Sequence, residues 1–167
     1  MSQRDLMDQI ANSLVVILER GRETIQKAYF DITPNESYKI FKDRQPELTL
    51  ASAGKLGPVI EIVRNNKESE WKYTRVKEEK YNFWLDCSIK STHREVAQEY
   101  VNTFCAAVMS WMNQLENLKF KIEGTCAVTY DSHATDLEVE YRRGYGFHSG
   151  RINYYTKVIN SGERVFA

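Results

Sequence analysis

The sequence predicts an α+β fold, with a mainly antiparallel sheet and two helices packed on one of its faces. Apolar residues alternate with polar ones from Tyr81 to Lys90 and in three later stretches, which is the two-residue period of a half-buried strand. Two longer stretches, 6–29 and 95–115, instead carry apolar stripes of helical period. Because the second face of the strands is polar, helices are expected to cover only one side of the sheet.

The composition is that of a soluble globular chain. The 167 residues are expected to form one domain, 1–167. Basic and acidic residues number 23 each, so the net charge provides no general attraction to nucleic acid or to an anionic membrane. No apolar run approaches the roughly 18 residues of a membrane span, and the N-terminus does not resemble a secretory signal. We therefore expect a protein made in the cytosol with no membrane partner.

The three cysteines, Cys87, Cys105 and Cys126, are odd in number and far apart in the sequence. They are interpreted as buried, reduced thiols that act as small apolar side chains, with a disulfide or a metal site as the alternative. The sequence predicts neither a cofactor nor a metal ion.

The first part of the chain reads as a helix followed by an irregular segment. Ser2 and Asp5 are placed to cap the helix, and Gly21 is expected to weaken or bend it before it continues to Tyr29. The segment 32–57 has no clear period. A loop of this length is interpreted either as a functional segment ordered by a neighbour or as a surface excursion containing short strand pieces.

The central part is expected to contain strands and the longest helix. Residues 59–63 read as a buried strand, and the turn-like 65–67 separates it from a charged strand around Trp71 and Tyr73. The strand 81–90 follows. A capping box, Thr92 with Glu95, then predicts a helix that runs to about Leu115.

The last part is expected to supply three more strands. They cover 120–130, 137–142 and 152–158, with a turn at 131–136 and a glycine-containing turn before the last strand. The polar face of the whole sheet is expected either to meet solvent or to line a hydrated passage. Its predicted members are Asn82, Asp86, Ser88, Lys90, Lys121, Glu123, Thr125, Thr129, Glu138, Glu140 and Arg142.

The sequence shows no catalytic or metal-binding motif. His93, His133 and His148 are not at ligand spacing, and no nucleophile elbow, phosphate-binding loop or dinucleotide fingerprint is present. The prediction is that the protein is not an enzyme. A small hydrolase using His133 or His148 would need a pocket with a nearby carboxylate.

One local cluster, residues 142–151, combines arginines, aromatic residues and glycines. Such a cluster can contact phosphates and stack on bases, can contact a subunit or partner, or can be an inert hairpin. The candidate phosphate or DNA contacts are Arg142, Arg143 and Arg151.

The order and spacing of these elements resemble the tail-terminator (tail-completion) and related neck proteins of tailed bacteriophages. The resembling parts are the N-terminal helix, the irregular segment, the strand 58–63, the strand 81–90 running into the helix 92–115, and the strands from 120 to 159. The resemblance covers most of the chain and has no short diagnostic motif.

The resemblance implies a structural virion protein that forms a closed ring, usually a hexamer, at the head-proximal end of the tail tube. Such a ring halts tube growth and joins the tail to the head connector, while DNA passes through its lumen. The expected partners are therefore copies of itself, tail-tube and head-connector proteins, and passing DNA. The expected location is the tail or neck of the virion, after assembly in the host cytoplasm.

A head-to-tail ring needs two different patches on each subunit. The extended segment 41–56 and the charged strand at Trp71 and Tyr73 are expected to meet the loop at Tyr145 and Phe147. Trp84 is a further candidate, as an aromatic residue on a polar strand face. The predicted interface residues are Phe41, Leu48, Leu50, Trp71, Tyr73, Trp84, Tyr145 and Phe147.

The alternative class is a small nucleic-acid- or protein-binding adaptor that acts as a monomer or dimer. It would bind through the loop 142–151, with an affinity that falls steeply with salt. Only the ring predicts a stable closed oligomer of about six chains.

Overall fold

A computed structural model describes residues 3–29, 38–43, 58–73, 76–90, 94–143 and 147–160. It confirms the predicted α+β class with a mostly antiparallel sheet. The helices are α1 (Gln3–Arg20), α2 (Arg22–Tyr29) and α3 (Arg94–Met112), followed by a short 3-10 helix (Leu115–Asn117). The strands are β1 (Lys39–Lys42), β2 (Val59–Tyr73), β3 (Val76–Lys90), β4 (Thr129–Arg143) and β5 (Phe147–Asn160).

The five strands form one sheet in the order β1-β2-β3-β5-β4. All neighbouring strands are antiparallel except β1, which pairs with β2 in parallel. β1 lies inside the segment that was predicted to be irregular, so that segment contains a strand piece. The rest of it, 32–37 and 44–57, lies outside the described residues.

The helices share one apolar core with one face of the sheet. α1 packs on β1 and β2, α3 packs on β3, β4 and β5, and α2 packs against α3. The helix is interrupted at Gly21, so the region predicted as one helix contains two, α1 and α2. A Cβ atom at Gly21 would overlap the indole of Trp111, whose Nε1 donates to the Ile17 carbonyl at 2.8 Å. A larger residue at 21 would therefore push α3 away from α1.

The predicted turn at 65–67 is wrong. β2 continues through these residues, and the register with β3 shifts between Arg64 and Lys67. This is a β-bulge, which uses the same polar residue types as a turn. The Asn82 side chain donates to the Asn66 Oδ1 at 2.8 Å, which helps to hold the bulged strand. The β2–β3 connection instead comes after Tyr73.

The predicted strand 120–130 and turn 131–136 are also wrong. Residues 120–128 form a turn with a single bridge between Lys121 and Val128, and Gly124 has a φ of 76°. The turn-forming residues after it lie within β4, where bulges absorb two extra positions. A buried hydroxyl pair, Ser132 with Thr156 at 2.6 Å, supplies a cross-strand contact that an amphipathic pattern does not reveal.

One stretch of the outer edge of β4 is covered by a side chain. The Asn113 amide accepts from the Ala134 N–H at 2.8 Å and donates to the Ala134 carbonyl at 3.0 Å. The amide thus fills the hydrogen-bonding positions that a further strand would use. The proposed helix caps at Ser2 and Thr92 lie outside the described residues.

Candidate subunit interface on the helix-free face of the sheet

We call the face of the sheet opposite the helices the outer face. Register places Glu61, Asp86, Arg151 and Glu138 in one row across β2, β3, β5 and β4. This row lies on the outer face because residues adjacent to it in sequence, such as Leu85 and Ile152, are in the core. One cation thus shares a row with three carboxylates.

Arg151 is the centre of this row. Its Nε and one Nη donate to the two Asp86 carboxylate oxygens at 2.9 and 3.1 Å, a bidentate pair. Its guanidinium also lies 3.9 Å from the centroid of the Trp84 ring. Trp84, predicted as an interface residue, therefore supports Arg151 within its own subunit. Arg151, predicted as a phosphate contact, is bound to Asp86.

Part of the outer face is not hydrated, and the prediction of a wet face is wrong at four of its members. Asp86 and Ser88 are buried on this face. Thr129 is buried on the opposite, helix-covered face, where it pairs with the core residue Val158. Thr125 is buried in the turn 120–128, which lies outside the five strands together with Lys121 and Glu123. Ser88 and Ser149 face each other across β3 and β5 with their Oγ atoms 2.7 Å apart. Cross-strand pairing of polar groups makes this burial possible, since each group replaces water with a neighbour.

The other half of the outer face contains a cavity of about 480 Å³ lined by Glu68, Ser69, Glu70, Glu78, Lys80 and Lys157. Lys157 Nζ lies 3.3 Å from Glu78 and 3.6 Å from Asp131, and Lys80 Nζ lies 3.8 Å from Glu68. Although burial opposes it, the hydrogen bond with Glu78 and the nearby carboxylates raise the pKa of Lys157. Lys157 therefore remains charged, and the carboxylates that line the cavity outnumber the lysines.

Exposed apolar side chains accompany this cavity. Ile159 is 43% exposed and pairs with Glu78 at the end of β5, so it lies beside the cavity. Trp71 is 64% exposed at the end of β2, but it pairs with Lys77 and therefore lies on the other face of the sheet. Tyr130 is 37% exposed, and burial followed by a hydrogen bond to Glu78 raises the pKa of its hydroxyl well above the ordinary value. This end of the sheet, from Glu68 to Trp71 with the facing parts of β3, β5 and β4, is called the acidic end.

The opposite end of the sheet is formed by the β4–β5 hairpin. Arg142 and Arg143 are the last residues of β4, and Arg143 pairs with Phe147 at the start of β5. The side chains of these three residues and Tyr145 lie outside the described part of the chain. This end is called the hairpin end.

The predicted interface residues do not form one patch, since some lie at the ends of the sheet and Trp84 lies in its central row. Trp71 lies at the acidic end, as does the backbone of Tyr73, whose side chain is not described. Phe41 is half-buried in β1 opposite Glu61, and Leu48 and Leu50 lie outside the described residues. One subunit does not bring Trp71 and Phe147 together.

Several residues of this face were not singled out from the sequence. They are Glu61, Glu68, Glu70, Lys80, Tyr130, Tyr155 and Lys157. Their alternation with core residues was readable in β3 and β5, but their grouping depends on strand order. The pairing of β3 with β5, which skips β4, brings Glu78 and Lys157 together and has no local signal.

The cysteines and histidines form no metal site in the described residues. Cys87 and Cys105 are buried as predicted, and the hydrogen bond between them, followed by burial, raises the pKa of the Cys87 thiol. Cys126 is exposed, so its predicted burial is wrong. His133 is exposed on β4, and within the described ranges no three metal-ligating side chains cluster.

No helix among the described residues is long and apolar enough to cross a membrane.

No protein-family model and no curated protein matches the chain. Among solved structures, one similar chain belongs to a structure titled "Virion of native gene transfer agent (GTA) particle". It is 10% identical, with a TM-score of 0.45, and the alignment covers 83% of this chain and 96% of that chain. A likeness of this size carries no argument about function.

Proposed function

We propose that this chain is a structural virion protein, a tail-terminator (tail-completion) subunit. It forms a hexameric ring at the head-proximal end of a phage tail and joins the tail tube to the head connector. It acts in the virion neck after assembly in the host cytoplasm and has no catalytic role. The resemblance in the order of elements supplies the family, and the layout of the sheet supplies the reason to expect a ring.

The observation that supports the proposal is the separation of two segments of unlike sequence, the acidic end and the β4–β5 hairpin, at opposite ends of the sheet. Twelve positions of β3 separate Glu78 at the acidic end from Lys90 at the hairpin end. At about 3.3 Å per residue, the two ends lie about 40 Å apart. A head-to-tail ring requires two different, separated patches, because each subunit presents one patch to each neighbour.

The alternative is an adaptor that binds nucleic acid through residues 142–151, and it has only some of its three predicted arginines to support it. Arg151 is held by Asp86 and Trp84, which leaves Arg142 and Arg143 as the arginines of the cluster to contact phosphate. Two phosphate contacts give weak, strongly salt-dependent binding. Contact with DNA passing through the lumen fits this small charge better than sequence-specific binding.

The test is the mass of the protein in solution over a range of concentrations. Light scattering and sedimentation are expected to show a closed species of about six chains, and electron microscopy is expected to show a ring with an open centre. A protein that stays monomeric or dimeric at every concentration would refute the ring. A tight complex with a short DNA duplex at physiological salt would favour the adaptor.

A further inference from the structure

Two thiols lie together in the core, between α3 and the sheet. Cys87 in β3 and Cys105 in α3 are both fully buried, and both belong to the apolar core that the helices share with the sheet. Their side chains hydrogen-bond to each other. Because both cysteines lie inside one subunit, what they can do is independent of the ring proposed above.

Gly150 is what allows the two sulfur atoms to approach each other. Cys87 pairs with Gly150 in the register of β3 with β5. Residues that face each other in this way have Cβ positions about 5 Å apart on the same face of the sheet. Gly150 has no Cβ, and the Sγ of Cys105 takes its place, since a Cβ at Gly150 would lie 2.5 Å from this sulfur. The missing side chain thus brings Cys105 within reach of Cys87.

We propose that Cys87 and Cys105 form a reversible disulfide, which links β3 to α3 when the folded protein meets a small organic disulfide as oxidant. One protein thiolate attacks the small disulfide, forms a mixed disulfide and releases one small thiol. The second protein thiol, after losing its proton, attacks the mixed disulfide, forms the Cys87–Cys105 bond and releases the other small thiol. The two protein thiols together lose two hydrogen atoms, and the oxidant is reduced to two thiols.

Burial makes this reaction slow and confines it to oxidising conditions. The hydrogen bond with Cys105, followed by burial, raises the pKa of the Cys87 thiol. Since the thiolate is the form that attacks a disulfide, the pair reacts more slowly than an exposed cysteine. The oxidant reaches the pair when α3 opens locally from the sheet. In a reducing cytosol the pair therefore remains as two thiols.

The cross-link would fasten the helix to the sheet. Residues 88–104 lie between the two cysteines, so the bond closes a short loop of the unfolded chain. Closing a loop of this size is expected to lower the equilibrium constant for unfolding by about a hundredfold. The same bond prevents the opening of α3 that admits the oxidant.

The test uses Cys126→Ser protein, which keeps only the two core cysteines. The folded variant is incubated with hydroxyethyl disulfide, then unfolded, alkylated and weighed by mass spectrometry. We expect a chain that has lost two hydrogen atoms and takes up no alkylating reagent, and dithiothreitol should restore two alkylated thiols. Urea unfolding before and after oxidation, followed by circular dichroism, should show the hundredfold change given above.

Peptide mapping of the wild type shows whether the fold selects the pair. Oxidation of the folded chain is expected to link Cys87 to Cys105 alone, whereas oxidation in urea should also give pairs that include Cys126. Exposed Cys126 should carry half of the small disulfide, which shows that the oxidant is active. The matched control, Cys105→Ala with Cys126→Ser, should show no internal bond and no gain in stability.

Two results would overturn the proposal. In the first, Cys126 of the wild type carries the adduct while Cys87 and Cys105 both remain open to alkylation after prolonged exposure. In the second, the two core cysteines each end as mixed disulfides, which would mean that their sulfur atoms do not meet in the folded state.

Discussion

Replacing Arg151 by Met is expected to destabilise the folded subunit by about 3 kcal/mol. The side chain of Asp86 is 6% exposed and that of Arg151 is 20% exposed. Removing one partner of a buried ion pair costs about 3–5 kcal/mol, because the other charge stays buried without compensation. The exposed fifth of the guanidinium puts the cost at the lower end of that range.

The assay is urea unfolding of dilute, monomeric protein, followed by tryptophan fluorescence and circular dichroism. Arg151→Met with Asp86→Leu is expected to recover most of the loss, since an apolar pair replaces the ion pair. The control is Lys27→Met, which removes a pair with Glu23 whose side chains are 76% and 85% exposed, and it is expected to change the free energy by less than about 0.5 kcal/mol. A loss below about 1 kcal/mol for Arg151→Met would show that Asp86 is not dependent on this cation.

Three further predictions concern single side chains. Gly150→Ala is expected to lower the free energy of unfolding by about 2 kcal/mol, because the new Cβ would lie 2.5 Å from the Cys105 Sγ. The loss should be smaller in a double variant that also carries Cys105→Ala. Burial raises the pKa of Tyr81 and Tyr154 in the folded state, so these tyrosines ionise first in the unfolded chain, above about pH 10. The free energy of unfolding therefore falls as pH rises above that value, by about 1.4 kcal/mol per pH unit for each tyrosine. Tyr154→Phe should reduce that slope by one tyrosine in alkaline unfolding curves, and an unchanged slope would show that the buried Tyr154 hydroxyl does not contribute to it. Trp71→Ala should leave the stability of the monomer within about 0.5 kcal/mol while weakening assembly, which equilibrium sedimentation measures.

The parts of the fold that sequence alone predicted are those governed by a single strong period. The stripe that begins at Leu6, the helix α3 and the alternation around Phe83 were all readable because each buries one continuous apolar face. The same reasoning predicted that Gly21 weakens or bends the first helix, whereas the structure has two helices there. The reason for the break, the indole of Trp111 against the backbone, needs the tertiary structure.

Sequence reasoning failed where polar residues lie inside strands. The stretches at 65–67 and 131–136 look like turns because Asn, Asp and Ser favour turns, yet both are strand residues beside bulges. Cross-strand hydrogen bonds such as Ser132 to Thr156 offset the local preference. The row that contains Glu61 and Arg151 was equally invisible, since it depends on which strands are neighbours.

The amide of Asn113 fills the hydrogen-bonding positions beside Ala134, so the closure of this edge of the sheet depends on one amide nitrogen. Deamidation replaces the donor nitrogen with an oxygen, so a bond to the Ala134 carbonyl becomes a repulsion between two acceptors. The backbone there would then be open to invasion by an extended segment of another chain. The loss of one nitrogen atom, with no change in the rest of the molecule, would thus turn a closed border of the sheet into a nucleus for misassembly.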